Sequence, residues 1–256
     1  MSDHHKRLID WFNKNSGKYH VWDLFRDVMA LLSLSLQQPT NKLTGNQALW
    51  EKKESEYMSI VGRYDKEIIA KTPEVLHIIM DFFEHNTSDF LGECFMETEL
   101  GSKYNGQFFS PYHLSKMCAT VTSSYEDIIK ENGFVLANDP AVGAGSMPIA
   151  IADVMREQKF NPQEQLFFIG GDVDRRVLDM CFIQMTLLGV PTKLYHQNAL
   201  SLEMLGDPLI NMFWYLQRCD SKIACRESLP AKIEKEPINA HKRSKRSRKN
   251  RVIKNT

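Results

Sequence analysis

The chain has no paired cysteines, no long apolar run and no net charge, and each absence excludes something. Its five cysteines, Cys94, Cys118, Cys181, Cys219 and Cys225, are scattered without a Cys-x-x-Cys pair and without histidines at zinc-ligand spacing. That excludes a zinc ribbon and a disulfide framework, and leaves ordinary buried thiols in a reducing compartment as the expectation. The most apolar window, Val28 to Leu36, falls far short of the roughly 20 residues a bilayer-spanning helix needs. The first residues, Met-Ser-Asp-His-His-Lys-Arg, are too polar for a secretory signal. A soluble cytoplasmic protein with no membrane partner is expected.

Neutrality hides an uneven distribution. Lys plus Arg and Asp plus Glu both number 32 in 256 residues, yet residues 232–256 carry ten basic side chains against Glu234 and Glu236. The preceding 231 residues hold 22 basic and 30 acidic side chains, so an acidic body precedes a basic tail. The tail has no apolar periodicity and reads as a segment disordered until bound. Lys242, Arg243, Lys245, Arg246, Arg248, Lys249 and Arg251 are its candidate phosphate contacts, suited to salt-sensitive, sequence-independent DNA binding. A solvated terminus is the other reading.

The first hundred residues read as helical. Val21, Leu24, Phe25, Val28, Leu31 and Leu32 form one stripe at three- and four-residue steps, which Gln37-Gln38-Pro39-Thr40 should end. A second helix is expected through Trp50 to Tyr64, and a third from Pro73, placed in its first turn, through Phe83. His77 and His85 fit packed or surface roles rather than metal ligation.

What is present thereafter is an alternation of strands and helices. The apolar run Phe134–Ala137 leads into Asn138-Asp139-Pro140-Ala141-Val142-Gly143-Ala144-Gly145-Ser146-Met147 and then a helix through about Glu157. A strand, glycine turn and helix in that order let a ligand lie against bare backbone at a helix amino terminus. The strand Leu166–Ile169 runs into Gly170-Gly171-Asp172, where an acid can hold a ribose diol. Arg175 to Leu188 is apolar nearly all round, which predicts a helix sandwiched between layers, and Gly189 suits its left-handed end. The strand Thr192–His196 then delivers Asn198. The result is β-α-β-α-β, half of a doubly wound sheet, with Asp139 to Ser146, Asp172 and Asn198 at the strands' carboxyl ends. Upstream, a loop from Gly101 to Pro111 carries the adjacent aromatics Phe108 and Phe109, and a helix is expected from about Tyr112 to Tyr125.

Taken together, these residues resemble the adenine N6 DNA methyltransferases related to type I restriction modification subunits, especially small relatives on phages and mobile elements. Gly106-Gln107-Phe108-Phe109-Ser110-Pro111 is similar to that family's Gly-Gln-Phe-Phe/Tyr-Thr-Pro motif. Asp139-Pro140-Ala141-Val142-Gly143-Ala144-Gly145-Ser146 resembles its glycine turn, and Gly171-Asp172-Val173-Asp174 its Gly-x-Asp-Ile-Asp strand end. Asp89-Phe90-Leu91-Gly92 resembles the Asp-x-Leu-Gly segment preceding the aromatic loop. The resemblance spans roughly residues 20 to 205.

It implies a Rossmann-like class I sheet, cut short after about the third strand, that binds S-adenosylmethionine. The implied regions are a helical part to residue 100, the cofactor domain from 101 to 220, and the basic tail from 221. Gln107 to Pro111 would close over the methionine end, Asp139 would face its amino group, and Gly143, Gly145 and Ser146 would admit the cofactor. Asp172 would take the ribose hydroxyls, and Asn198, often Asp in relatives, would accept from the adenine amino group. The family's Asn/Asp-Pro-Pro-aromatic loop, which takes the amino protons and stacks the flipped base, is not found. Asp207-Pro208 is the nearest candidate for its catalytic place, without the second proline or the aromatic. Two readings stay open: a methyltransferase with an atypical or partner-supplied catalytic loop, and a non-catalytic cofactor- and DNA-binding subunit. A nicotinamide dehydrogenase fits poorly, because the turn lacks the third glycine of a dinucleotide fingerprint.

Overall fold

The computed structural model describes residues 2–97, 109–122 and 125–219. Residues 1–217 cluster as one compact unit. The amino-terminal part is helical: α1 (Asp3–Ser16), α2 (Val21–Leu43), α3 (Gln47–Val61), α4 (Lys66–His85) and α5 (Phe90–Glu97). After them come α6 (Tyr112–Val121) and α7 (Tyr125–Asn132), two short helices where one was expected. Ser2 and Asn46 cap α1 and α3 through side-chain oxygens that accept backbone N–H groups of the first turn.

Both prolines expected at helix boundaries lie inside helices instead. α2 continues through Pro39, with Leu36 packed against both apolar cores and Gln37, Thr40 and Asn41 buried around the ring, and packing of the helix outweighs one lost backbone bond. α4 begins seven residues before Pro73. Pro73 cannot donate to the Ile69 carbonyl four residues back, and the Thr72 hydroxyl donates to it at 2.8 Å instead. Both prolines are exposed, so neither ring enters the core.

The sheet is built from β1 (Val135–Asp139), α8 (Ser146–Glu157), the short α9 (Pro162–Gln165), β2 (Leu166–Asp172), α10 (Arg175–Leu187) and β3 (Thr192–His196). A hairpin returns from β3 to β4 (Leu209–Ile210), followed by α11 (Met212–Cys219). β1, β2 and β3 pair in parallel in that spatial order, and β4 lies antiparallel against β3. Both crossovers advance the sheet in one direction, which puts α8 and α10 on the same face. Phe168, Leu194 and Leu209 meet Ile149, Leu178 and Phe182 there in one core. On the other face Phe167 meets Trp214 of α11 edge-on at 5.7 Å. Among the described residues β1 is an edge strand with Leu136 half exposed.

α10 is sandwiched, as its all-round apolar sequence implies. Leu178, Cys181, Phe182 and Met185 form the stripe facing the sheet. Val177, Met180 and Ile183 face the helical layer, sharing a second core with Leu24, Phe25, Val28, Ile79, Phe90 and Phe95. Gly189 ends the helix in the left-handed conformation (φ 73°). No helix among the described residues is long and apolar enough to cross a membrane.

Replacing the exposed Pro39 by alanine restores a backbone donor in the interior of α2. Urea titration is expected to show a gain of about 2 kcal/mol, and an unchanged midpoint would mean the helix is already bent to suit the ring.

Candidate cofactor site

The candidate site lies at the carboxyl ends of β1 and β2. Gly143 (φ 57°) and Gly145 (φ 107°) both adopt backbone that L residues rarely reach, so the turn after β1 requires glycine twice. They differ in surroundings. A Cβ on Gly143 would lie 3.6 Å from the Phe109 ring, an ordinary contact. A Cβ on Gly145 would sit 3.0 Å from Cys181 Sγ, so this glycine is also what lets the turn lie against α10.

Asp172, the last residue of β2, is aimed at the turn. Its Oδ2 accepts the Gly143 N–H at 3.0 Å and its Oδ1 accepts the Asp174 N–H at 2.9 Å. Backbone joins the same two strands again, as Val142 N–H donates to the Gly171 carbonyl at 2.9 Å. Asp139 accepts the Ala141 N–H at 3.0 Å, closing a local turn. Each carboxylate has about four lone-pair positions, so both keep acceptor capacity for a ligand's hydroxyl or ammonium donors. Their field is registered at Cys181. Burial first, then the charges of Asp89, Asp139 and Asp172, push that thiol well above its usual range. The turn is thus an acid-lined surface of bare backbone that favours a cationic, hydroxyl-bearing ligand.

Of the adjacent aromatics in the loop before α6, Phe109 lies among the described residues. Phe109 lies against Gly143 and 5.3 Å from Phe95 of α5, which in turn lies 5.3 Å from Trp22 at the start of α2. Trp22 carries the Arg176 guanidinium over its ring at 4.9 Å. Ser146, the first residue of α8, hydrogen-bonds Ser115 of α6 at 2.9 Å and the Ser110 carbonyl at 3.4 Å. That ties the segment Phe109–Ser110–Pro111 to the glycine turn. Gln107 and Phe108 lie outside the described residues, as do Lys242, Arg243, Lys245, Arg246, Arg248, Lys249 and Arg251.

Two expected residues are placed differently from the sequence reading. Asn198 is at the carboxyl end of β3, but its side-chain oxygen accepts the Leu200 and Ser201 N–H groups at 2.9 and 3.2 Å. The oxygen expected to face an adenine amino group is committed to folding the hairpin, and the amide nitrogen is what remains to offer. Asp207 and Pro208 do not join the glycine turn. They precede β4, three strands and about 14 Å from β1 in sheet spacing. There Asp207 pairs with Lys52 of α3 at 2.6 Å and approaches Lys53 at 3.8 Å. The Lys52 hydrogen bond holds its carboxyl below the ordinary aspartate value. A shallow cavity lined by Arg156, Lys159, Phe160 and Asn161 sits at the opposite, amino end of β2.

Sequence reasoning passed over the role of Gln184. Buried completely within α10, it donates through Nε2 to the Ala144 carbonyl and to Asp89 Oδ1, both at 2.9 Å, and accepts the Leu91 N–H at 3.0 Å. The signal was visible: a long amide in the middle of a run of apolar residues, Met180 to Met185, must have partners.

Parallel β-α-β-α-β topology, a doubly left-handed glycine turn after β1 and an acid ending β2 define a Rossmann-like half-sheet. Residues 88–212, just under half of the chain, match the model of the N-6 DNA Methylase family. Among solved structures it is similar to a Listeria monocytogenes protein named as a candidate class I S-adenosylmethionine-dependent methyltransferase, at 15% identity and a TM-score of 0.39. That alignment covers 82% of this chain and 57% of the other. A type I restriction-modification methyltransferase subunit from Streptococcus thermophilus aligns at 13% identity and a TM-score of 0.38, covering 77% and 58%. The chain therefore spans somewhat over half the length of these two proteins. No curated protein matches the sequence.

Two outcomes test this geometry. Gly145→Ala should cost about 2 to 3 kcal/mol in a denaturation titration, against about 1 for Gly143→Ala, because only the former adds a clash to the backbone strain. Equal costs would mean that Cys181 yields freely. Burial, reinforced by the neighbouring Glu93 charge and opposed by the Gln184 and Gly92 hydrogen bonds, raises the Asp89 carboxyl to about 6. A raised carboxyl favours the neutral form in the folded state, so its contribution is full below 3.8 and lost as pH rises through about 6. Asp89→Asn should accordingly gain stability relative to the parent as pH rises across that window; a constant difference would refute the buried titration.

Proposed function

We propose that this chain is an S-adenosylmethionine-dependent DNA methyltransferase component acting on the adenine N6 position. The observation that carries the reading is the convergence of Asp172 on the Gly143 amide beneath the Phe109 ring. Bare glycine backbone admits the cofactor where a side chain would block it, and the spare lone pairs of Asp172 suit the ribose diol. Asp139 faces the ammonium end of the methionine part, the segment Gln107 to Pro111 covers it, and Pro140 and Ser146 shape the turn. Asn198 presents its amide N–H groups to the adenine edge. When bound, S-adenosylmethionine supplies a methyl group activated on sulfonium. The contribution of these residues is to orient that cation, and the surrounding carboxylates lower the cost of burying its charge.

A second reading is favoured by a specific observation. Asp207 is neutralised by Lys52 on the β3 side of the sheet, and the Asn/Asp-Pro-Pro-aromatic loop is not in the sequence. The groups that would take the amino protons and stack the flipped adenine are then supplied by another chain on DNA, with this chain holding the cofactor. The residues Lys242 to Arg251 would contribute phosphate contacts to such an assembly. A cytoplasmic setting on nucleic acid suits both readings.

Calorimetric titration with S-adenosylmethionine separates the alternatives. Binding in the micromolar range that falls at least about tenfold in Asp172→Ala is expected, since a hydrogen bond to a charged group is worth about 1.5 to 3 kcal/mol. No binding to the parent protein would sink both readings. Labelled methyl transfer to DNA by the chain alone would favour a self-sufficient enzyme, and transfer only with an added partner would favour the subunit.

A further inference from the structure

We propose that Gln184, held by Asp89, is the residue that positions the cofactor turn, and that the amino-terminal helices act on the site through it. This deepens, and rests on, the reading of the glycine turn as an S-adenosylmethionine site.

The Ala144–Gly145 peptide ends on a glycine of left-handed backbone, one residue after the left-handed Gly143, where the peptide plane rotates more easily than beside two side chains. Here the plane is fixed at both ends. Its N–H donates to the Val142 carbonyl at 3.1 Å, within the turn. Its carbonyl accepts from Gln184 Nε2 at 2.9 Å, from outside it. A flip of this peptide would turn the Gly145 N–H away and strand two buried polar groups, so the clamp selects one turn conformation before any ligand arrives.

Gln184 is itself over-determined. Its second donor bond goes to Asp89 Oδ1, and its oxygen accepts the Leu91 N–H. Asp89 Oδ1 also accepts the Gly92 N–H at 3.0 Å, capping α5. Gly92 has no room for a side chain, as a Cβ there would lie 2.2 Å from Asp89 Oδ2. The segment Asp89-Phe90-Leu91-Gly92 is therefore a socket for one amide, and the same helix α5 presents Phe95 to the Phe109 lid. Turn and lid are both registered against α5, one through Gln184 and the other through Phe95.

The test uses Gln184→Met, which keeps volume and removes all three hydrogen bonds, with Asp89→Leu and its conservative counterpart Asp89→Asn. Asn retains the oxygen that accepts from Gln184 and Gly92. Two quantities are read: S-adenosylmethionine affinity by calorimetry, and hydrogen exchange of the residue 143–146 amides in the cofactor-free protein. Gln184→Met should weaken binding about tenfold, the equivalent of one buried hydrogen bond, and speed exchange at the turn selectively. Asp89→Leu should do the same, and Asp89→Asn should recover most of that loss. A folded Gln184→Met protein with parental affinity and parental exchange overturns the proposal. So does exchange raised uniformly along α5 and α10, which would make Gln184 an ordinary core residue. Should Gln184→Met not fold, the Asp89→Leu and Asp89→Asn pair decides by the same measurements. Should the parent protein bind no S-adenosylmethionine, the functional reading falls by itself, and exchange at the turn still decides whether the clamp exists.

Discussion

The structure depends on the burial of α10, whose residues from Val177 to Met185 are all buried. A helix apolar on every side has no stable place at a surface, and its two faces here seal two different layers: the parallel sheet through Leu178, Cys181, Phe182 and Met185, and the helical layer through Val177, Met180 and Ile183. A three-stranded parallel sheet presents too little apolar surface to stand by itself, since such sheets are stable when both faces are covered. α10 makes the helices and the sheet one unit. It also brings the amino-terminal segment around Asp89 next to a turn more than fifty residues later in the chain.

That burial sets the rules for polar groups inside it. Within α10 the polar side chains that are fully buried, Asp179 and Gln184, are both engaged: Asp179 by Arg175 at 3.1 Å, Gln184 by three partners. In a low-dielectric interior an unpaired group would cost more than the pair returns. The Gln184 network therefore converts a packing interface into a directional constraint on the glycine turn. Acids at the strand ends are treated differently. Asp139 and Asp172 stay partly exposed and keep lone pairs available, and their charge is felt as far as Cys181.

How much was legible in the sequence can be judged from particular residues. Gly189 announced left-handed backbone and adopts it, and Gly143 and Gly145, read as bare backbone for a ligand, adopt it as well, because only glycine takes that conformation without strain. The all-round apolarity of residues 175–188 announced a sandwiched helix. Pro39 and Pro73 announced boundaries and gave none. A local rule about one missing N–H was outweighed by the apolar packing of α2 in the first case, and by the Thr72 hydroxyl in the second. Asn198 and Asp207 were placed by order along the chain alone. The hairpin after β3 uses the oxygen of one and draws the other to the far edge beside Lys52.

By itself the sequence determined what depends on neighbours in the chain: the alternation of strand and helix, the glycine turn, the acid ending β2, and the match of residues 88–212 to the model of the N-6 DNA Methylase family. Spacing and backbone sterics act locally, and a string of residues records them directly. Only the tertiary structure decided what depends on separation in space. It placed β4 against β3 rather than β1, set Phe95 and Phe109 together, and joined Asp89 to Ala144 through a single amide. Those pairings are chosen by which apolar faces can be buried together, a property of the whole chain that no segment carries alone.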